Sequence, residues 1–344
     1  MMRKVAFVAL MLLMAVPSFA ERRRAVTPGS PSRCAIPGEP LLTFTYPLAM
    51  ASDATTIYVV DEFDNTIYAV PNAGGEPRAV TQLGFDDFPL AMTADDTSLY
   101  IASIPYEGLS TPMPGVIYKV AKTGGAPQTF VSGINLPFDL ETDATHVYWV
   151  STGTADFTNE VILPDGKIER ASKATGTRET LVSNRSTPLD LALDGNDLYF
   201  GQSGEAEGDA TIGLFRVAKT GGTVTPVRTD VIVGGIAVGS DRFVLYGASQ
   251  TVPSGMFSIN KSGGDLKHLF GDEDLIAWSK PRIIDNIAYF LGATQQADYL
   301  VRLPLSTGIP NYLASGSFGG NDLEVDACGV TYSTNDGDIV RTAR

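Results

Sequence analysis

Histidine and cysteine are almost missing from this sequence: two of each stand in 344 residues. His146 and His268 leave no material for a His-rich metal centre and make Ser-His-Asp chemistry a poor fit. Cys34 and Cys328 have no neighbouring His, so a zinc site of ordinary spacing is excluded. The Walker and dinucleotide fingerprints are absent, as is the spacing of an EF-hand. No stretch keeps an apolar period of 3.6 residues, which argues against a helical fold. Basic residues are scarce, 25 against 39 acidic, for a net charge of −14. Such a chain repels nucleic acid and anionic membrane surfaces, so neither is expected as a partner.

One apolar run is present, at residues 5–16, behind Arg3 and Lys4 and ahead of Ser18-Phe19-Ala20. This is the pattern of a secretory leader cleaved after Ala20, and it predicts a secreted or periplasmic protein. The run is too short to span a bilayer and no second one follows, so no membrane span is expected. Cleavage would remove two basic residues and no acidic one, leaving 23 against 39 and a net charge of −16. Residues 1–20 are therefore read as leader, 21–37 as an extended Pro- and Ser-rich segment, and 38–344 as one domain.

That domain is repetitive. Tyr58, Tyr100, Tyr148 and Tyr199 each follow a Pro by eleven places, at Pro47, Pro89, Pro137 and Pro188. Tyr246, Tyr289 and Tyr332 extend the series without the Pro, giving a mean spacing of roughly 46 residues, within the range of propeller blades. In each unit a first apolar strand runs to an Asp and a turn, and the Tyr lies in the second strand. A third strand leads to a Gly pair such as Gly74-Gly75 or Gly124-Gly125, a turn signal before a fourth strand. Seven units of four short strands predict an all-β, seven-bladed β-propeller with antiparallel blades. A residue type that returns once per blade is read as packing or turn chemistry rather than catalysis.

Unit seven lacks its fourth strand. Gly38-Glu39-Pro40-Leu41-Leu42 resembles the fourth strand of unit one, so the N-terminal strand is expected to complete the last blade and remove the open edges. Cys34 and Cys328 would then lie on turns of the same blade face, and a disulfide between them is expected in an exported protein.

Units such as Asp143-Ala144-Thr145-His146-Val147-Tyr148-Trp149 and Lys219-Thr220-Gly221-Gly222 resemble secreted bacterial TolB-like and YWTD-like propellers. The resemblance covers nearly all of the chain after the leader. It implies a propeller, with six blades as the alternative to the seven counted, and it carries over no catalytic residue.

In such a ring the first strands line the channel, and the loops after the second and fourth strands share one face, the mouth. Asp139, Asp190, Lys280, Asn321 and Asp322 fall beside the channel mouth, and Asp61, Glu62 and Asp64 lie on a mouth loop. The lysines of the Lys-x-Gly-Gly turns fall on the underside. Asp139 and Asp190 occupy one slot in neighbouring units and form the leading pair for Ca²⁺, which takes six to eight oxygens; a solvated acidic rim is the other reading. The long loops 104–115 and 152–166 carry Tyr106, Met113 and Phe157, side chains suited to recognising a protein or a carbohydrate. The expectation is a monomeric, non-enzymatic propeller that binds a ligand or protein partner at its acidic mouth. The alternative is a Ca²⁺-dependent hydrolase or lyase acting through the same carboxylates.

Overall fold

Short β-rich segments punctuated by positive-φ turns build seven blades in the computed structural model. It describes residues 40–43, 47–61, 64–105, 114–156, 161–204, 212–249, 254–271, 275–277, 279–294, 297–316, 318, 322–326, 329–334 and 338–344. Glu62, Asn321, Cys34, Cys328, Tyr106, Met113 and Phe157 lie outside these residues. Among the described residues there is no helix, and none long and apolar enough to cross a membrane.

Blade 1 is Pro47–Ser52, Thr56–Asp61, Thr66–Pro71 and Arg78–Gln82, hydrogen-bonded in that order. Blade 2 (Asp87–Ala94 to Gln128–Asn135), blade 3 (Pro137–Thr142 to Arg178–Arg185), blade 4 (Pro188–Asp194 to Thr225–Arg228) and blade 5 (Val231–Val238 to Lys267–Phe270) repeat it. Blade 3 adds a hairpin, Ala155–Asp156 with Val161–Ile162, on its mouth loop. In blade 6 the inner strand is split into Leu275–Ala277 and Arg282–Ile284, both paired with Ile287–Thr294. Blade 7 comprises Leu323–Val325, Val330–Ser333, Asp338–Thr342 and, outermost, the N-terminal strand Pro40–Thr43. The ring thus closes through a strand from the other end of the chain, as the sequence predicts.

The core is divided among the blade junctions. Tyr58 packs with Met92 and Leu99 between blades 1 and 2, and Tyr100 with Leu140 and Trp149 between blades 2 and 3. Tyr148, Tyr199 and Tyr289 fill the following junctions in the same way. Two units depart from the sequence alignment. The turn bond from Gly239 N to Arg242 O matches that from Asp53 N to Thr56 O. This places Val244, not Tyr246, in the Tyr slot of blade 5. By the same criterion Asp326 N to Gly329 O puts Thr331 there in blade 7.

The repeated Asp has two tasks. Asp53 Oδ1 accepts the N–H groups of Thr55 and Thr56, closing the turn, and Oδ2 accepts the Tyr58 hydroxyl at 3.2 Å. Oδ2 also takes Lys122 of blade 2 at 2.8 Å. Asp95–Lys173, Asp143–Lys219 and Asp194–Lys261 repeat this clamp at the next three junctions, at 2.9, 3.3 and 2.7 Å. At the ring closure Arg344 reaches Asp285 at 3.0 Å, and Asn72 donates to Asp326 at 2.7 Å. At the junction of blades 5 and 6 both partners change together: Gly239 replaces the Asp and Leu305 the Lys, and Leu305 joins the apolar cluster there.

Burial alone would raise the pKa of Asp53, but the bonds from Lys122 and Thr55 outweigh it and bring it from 3.8 down to about 2. Asp95 and Asp143 are held well below the carboxylate range for the same reasons. A depressed folded-state pKa adds stability above the unfolded value and loses it as pH falls through the folded one. The clamps should therefore weaken between about pH 4 and pH 2. Lys122→Met is expected to cost about 0.2–1 kcal/mol, the range for a part-exposed pair. It should also move the Asp53 carboxyl midpoint upward in an NMR titration; an unmoved midpoint would show that Lys122 does not hold it.

Candidate functional site

The innermost strand of every blade is a sheet edge, so its channel-side N–H groups have no partner strand. The position four residues before the repeated Asp slot faces this edge. It holds Ala49, Ala91, Asp139, Asp190, Gly235, Lys280 and Asp322 in blades 1 to 7. Where it is acidic, its carboxylate caps the inner strand of the next blade. Asp139 accepts Leu191 N at 2.9 Å, Asp190 accepts Ile236 N, and Asp322 accepts Met50 N at 3.1 Å. Gly235 of blade 5 offers no acceptor, and the residue it would cap in blade 6 is Pro281, which has no N–H.

Pro281 lies in the break of the blade 6 inner strand, next to Lys280. From that break Lys280 reaches across to blades 3 and 4. Its Nζ stands 2.8 Å from Asp190 Oδ1 and 3.0 Å from Asp139 Oδ2. It also donates to Leu191 O at 3.3 Å and lies 3.5 Å from Glu141 Oε1. Two residues further on, Arg282 pairs with Asp322 and Glu324 of blade 7, each at 3.1 Å, and Glu324 accepts the Ser52 hydroxyl of blade 1 at 2.6 Å. Two layers of charge therefore tie blades 3, 4, 6, 7 and 1 to one another around the channel.

The carboxylates are not equivalent. Burial pushes Asp190 well above the usual range, and the adjacent Asp139 charge pushes it further. For Asp139 burial is outweighed by the Lys280 ammonium, a hydrogen bond from Asp190 and the Leu191 N–H, and its pKa falls. The contact between the two carboxyls thus acts in opposite directions, lowering Asp139 and raising Asp190. Burial and the Asp139 charge raise Glu141 as well. Burial works against the Lys280 ammonium, yet the three carboxylates hold it charged above its ordinary value. A cavity of about 200 Å³ lies on the channel wall, lined by Glu141, Lys280 and Arg282 and by the apolar Ala192, Ile236, Val238 and Ile283.

The structure thus brings together Asp139, Asp190 and Lys280, three residues singled out from sequence. The place between the two carboxylates that a cation would take is filled by the Lys280 ammonium. No group of three or more His, Cys, Asp and Glu in metal-holding geometry occurs among the described residues. Asp322 is separate from that trio and belongs to the Arg282 pair. Asp61 is buried at a strand end, and Asp64 caps Thr66 N at 2.9 Å on the blade 1 mouth loop. Sequence reasoning missed Glu141, Arg282 and Glu324. Each follows a named residue by two places, the same-face spacing of a strand, and that was the available signal.

The mouth face carries a second feature. Gly84-Phe85-Asp86-Asp87, between blades 1 and 2, is a tight turn closed by Asp87 N to Gly84 O at 3.1 Å. Asp87 Oδ2 takes Gly84 N at 2.9 Å and Oδ1 takes the Tyr118 hydroxyl at 3.0 Å. The Asn65 amide donates to Gly84 O and Asp87 O at 2.8 and 2.7 Å. At the tip of this pinned turn Phe85 is 87% exposed. On the blade 3 hairpin Ala155 and Ile162 are anchored against Phe88, Ile104 and Leu136, while Leu163 is exposed.

No protein-family model and no curated protein matches this chain. Solved structures do. Streptogramin B lyase superposes with a TM-score of 0.59 at 14% identity, covering 86% of this chain and 93% of its own. Oligogalacturonate lyase in complex with manganese gives 0.59 at 11%, covering 88% and 90%. A chain of the nidogen/laminin complex gives 0.52 at 14%, covering 73% and 89%. At these identities the likeness shows the β-propeller fold, which lyases and a protein complexed with a protein share.

Removing Lys280 should leave the buried Asp139 carboxylate, and the Asp190 and Glu141 carboxyls beside it, without their counter-charge. Lys280→Met is expected to destabilise by about 3–5 kcal/mol in urea unfolding, as for a broken buried pair. Adding Asp139→Asn should recover part of that loss. A Lys280→Met protein as stable as the parent would mean that the channel charges are solvated rather than paired.

Proposed function

We propose that this chain is an exported, non-enzymatic propeller that recognises a protein or carbohydrate partner on its mouth face. The observation that carries the reading is Phe85, a large apolar side chain held almost fully in solvent by a turn with five pinning hydrogen bonds. Exposed apolar groups on rigid supports favour binding, because little conformational freedom remains to be lost. The channel supports the same reading from the other side. A general acid or base must reach a substrate proton. Asp139, Asp190, Lys280 and Arg282 are instead engaged with one another and with backbone groups.

Binding should be measured by biolayer interferometry against a panel of purified polysaccharides and exported proteins, with Phe85→Ser in parallel. A central anchor costs about 2 kcal/mol or more when truncated, about thirtyfold in Kd. The variant should lose that much with an unchanged melting temperature. Equal binding by parent and variant to every panel member retained would refute the reading. The Ca²⁺-dependent hydrolase or lyase alternative has a separate check. Millimolar Ca²⁺ followed by EDTA should leave the melting temperature unchanged, and a rise reversed by EDTA would restore that alternative.

A further inference from the structure

Blades 2 and 3 end their fourth strands in the same way, with one substitution that breaks the pattern. In blade 2, Ile134 pairs with Gly115; in blade 3, Arg185 pairs with Gly166. The backbones match: Gly133 and Asn184 have φ of 67° and 57°, and Leu136 and Thr187 both have 51°. In both blades a Cβ on the glycine would collide with the Pro that opens the next blade, at 2.4 Å from Pro137 and 2.5 Å from Pro188. Ile134 is fully buried in the junction core with Trp149. Arg185 stands in that apolar slot.

Its guanidinium lies 5.6 Å above the Phe200 ring and 5.4 Å above the Phe215 ring, which are themselves stacked. Among the described residues no carboxylate meets it, and its buried Nε has no hydrogen-bond partner. Burial draws its pKa down with no anion to oppose the shift. The side chain is half-buried, so one side stays open to solvent on the mouth face. A guanidinium placed in a core slot without a counter-charge is costly, and departures of this kind from local rules concentrate at functional sites.

We propose that Arg185 anchors an oxyanion subsite on the mouth face, taking a carboxylate, sulfate or phosphate group of the ligand against its planar, ring-backed fork. The planar fork binds such groups through two parallel hydrogen bonds. The subsite rests on the recognition reading for its face and not for its chemistry. Its test leaves Phe85 in place, so the two can fail separately.

Parent, Arg185→Ile and Arg185→Lys proteins should be melted in acetate, sulfate and phosphate against chloride at matched ionic strength. The parent should show a saturable rise with at least one oxyanion, Arg185→Lys a weaker one, and Arg185→Ile none beyond the general salt effect. Which anion acts identifies the group. Arg185→Ile restores the residue of the sibling blade and is expected to fold. An Nε–Hε NMR titration of the parent gives a reading independent of any variant, and the Arg185 signal should shift to saturation. Equal melting responses in parent and Arg185→Ile, or an unmoved Arg185 signal in all three anions, would overturn the proposal.

Discussion

Closing a sheet stack into a ring removes no edge from the inside. Each blade still presents one strand whose inner N–H and C=O groups face the channel, and a buried backbone group without a partner costs about as much as a lost hydrogen bond. Much of what is distinctive here answers that constraint. Carboxylates from blades 3, 4 and 7 cap the inner strands of blades 4, 5 and 1. Those carboxylates then need counter-charges, which Lys280 and Arg282 of blade 6 supply. Lys280 in turn needs a backbone that departs from the regular strand, and Pro281 beside it provides the break. Asp139, Asp190 and Asp322, three of the acidic residues placed at the mouth from sequence, are caps with their countercharges.

The fold was almost wholly legible, because a propeller states its grammar seven times. The Asp turns, the Gly pairs and the completion of blade 7 by an N-terminal strand needed only local patterns. The register slip in blade 5 has a physical origin. Val244 and Tyr246 are two places apart and so lie on one face of the strand. An alignment that follows the aromatic keeps every inside–outside assignment and still lands one pair too far. In blade 7 the role of the Tyr hydroxyl passes to Arg341, which donates to both Asp326 and Thr331, and no sequence period signals such an exchange.

The candidate site was legible as membership and not as geometry. The channel slot nominated Asp139, Asp190, Lys280 and Asp322 because position along a strand is a local property. That Lys280 would lie between Asp139 and Asp190, 141 and 90 residues away in sequence, depends on which blades face each other across the ring. The alternation that would have added Glu141, Arg282 and Glu324 was present but short. Arg185 was invisible for a different reason: its oddity appears only once Ile134 is known to be its structural counterpart.

The underside clamps have a direction: the acid always belongs to one blade and its partner to the next. Each blade with both therefore carries a matching plug and socket, and an extra copy inserted between blades 1 and 2, 2 and 3, 3 and 4, or 4 and 5 would find both its neighbours already compatible. The junction of blades 5 and 6, with Gly239 and Leu305, would accept no such copy. A ring of this kind can grow by duplication at some seams and not at others, and its history of gain and loss of blades should be written in where the clamp is charged.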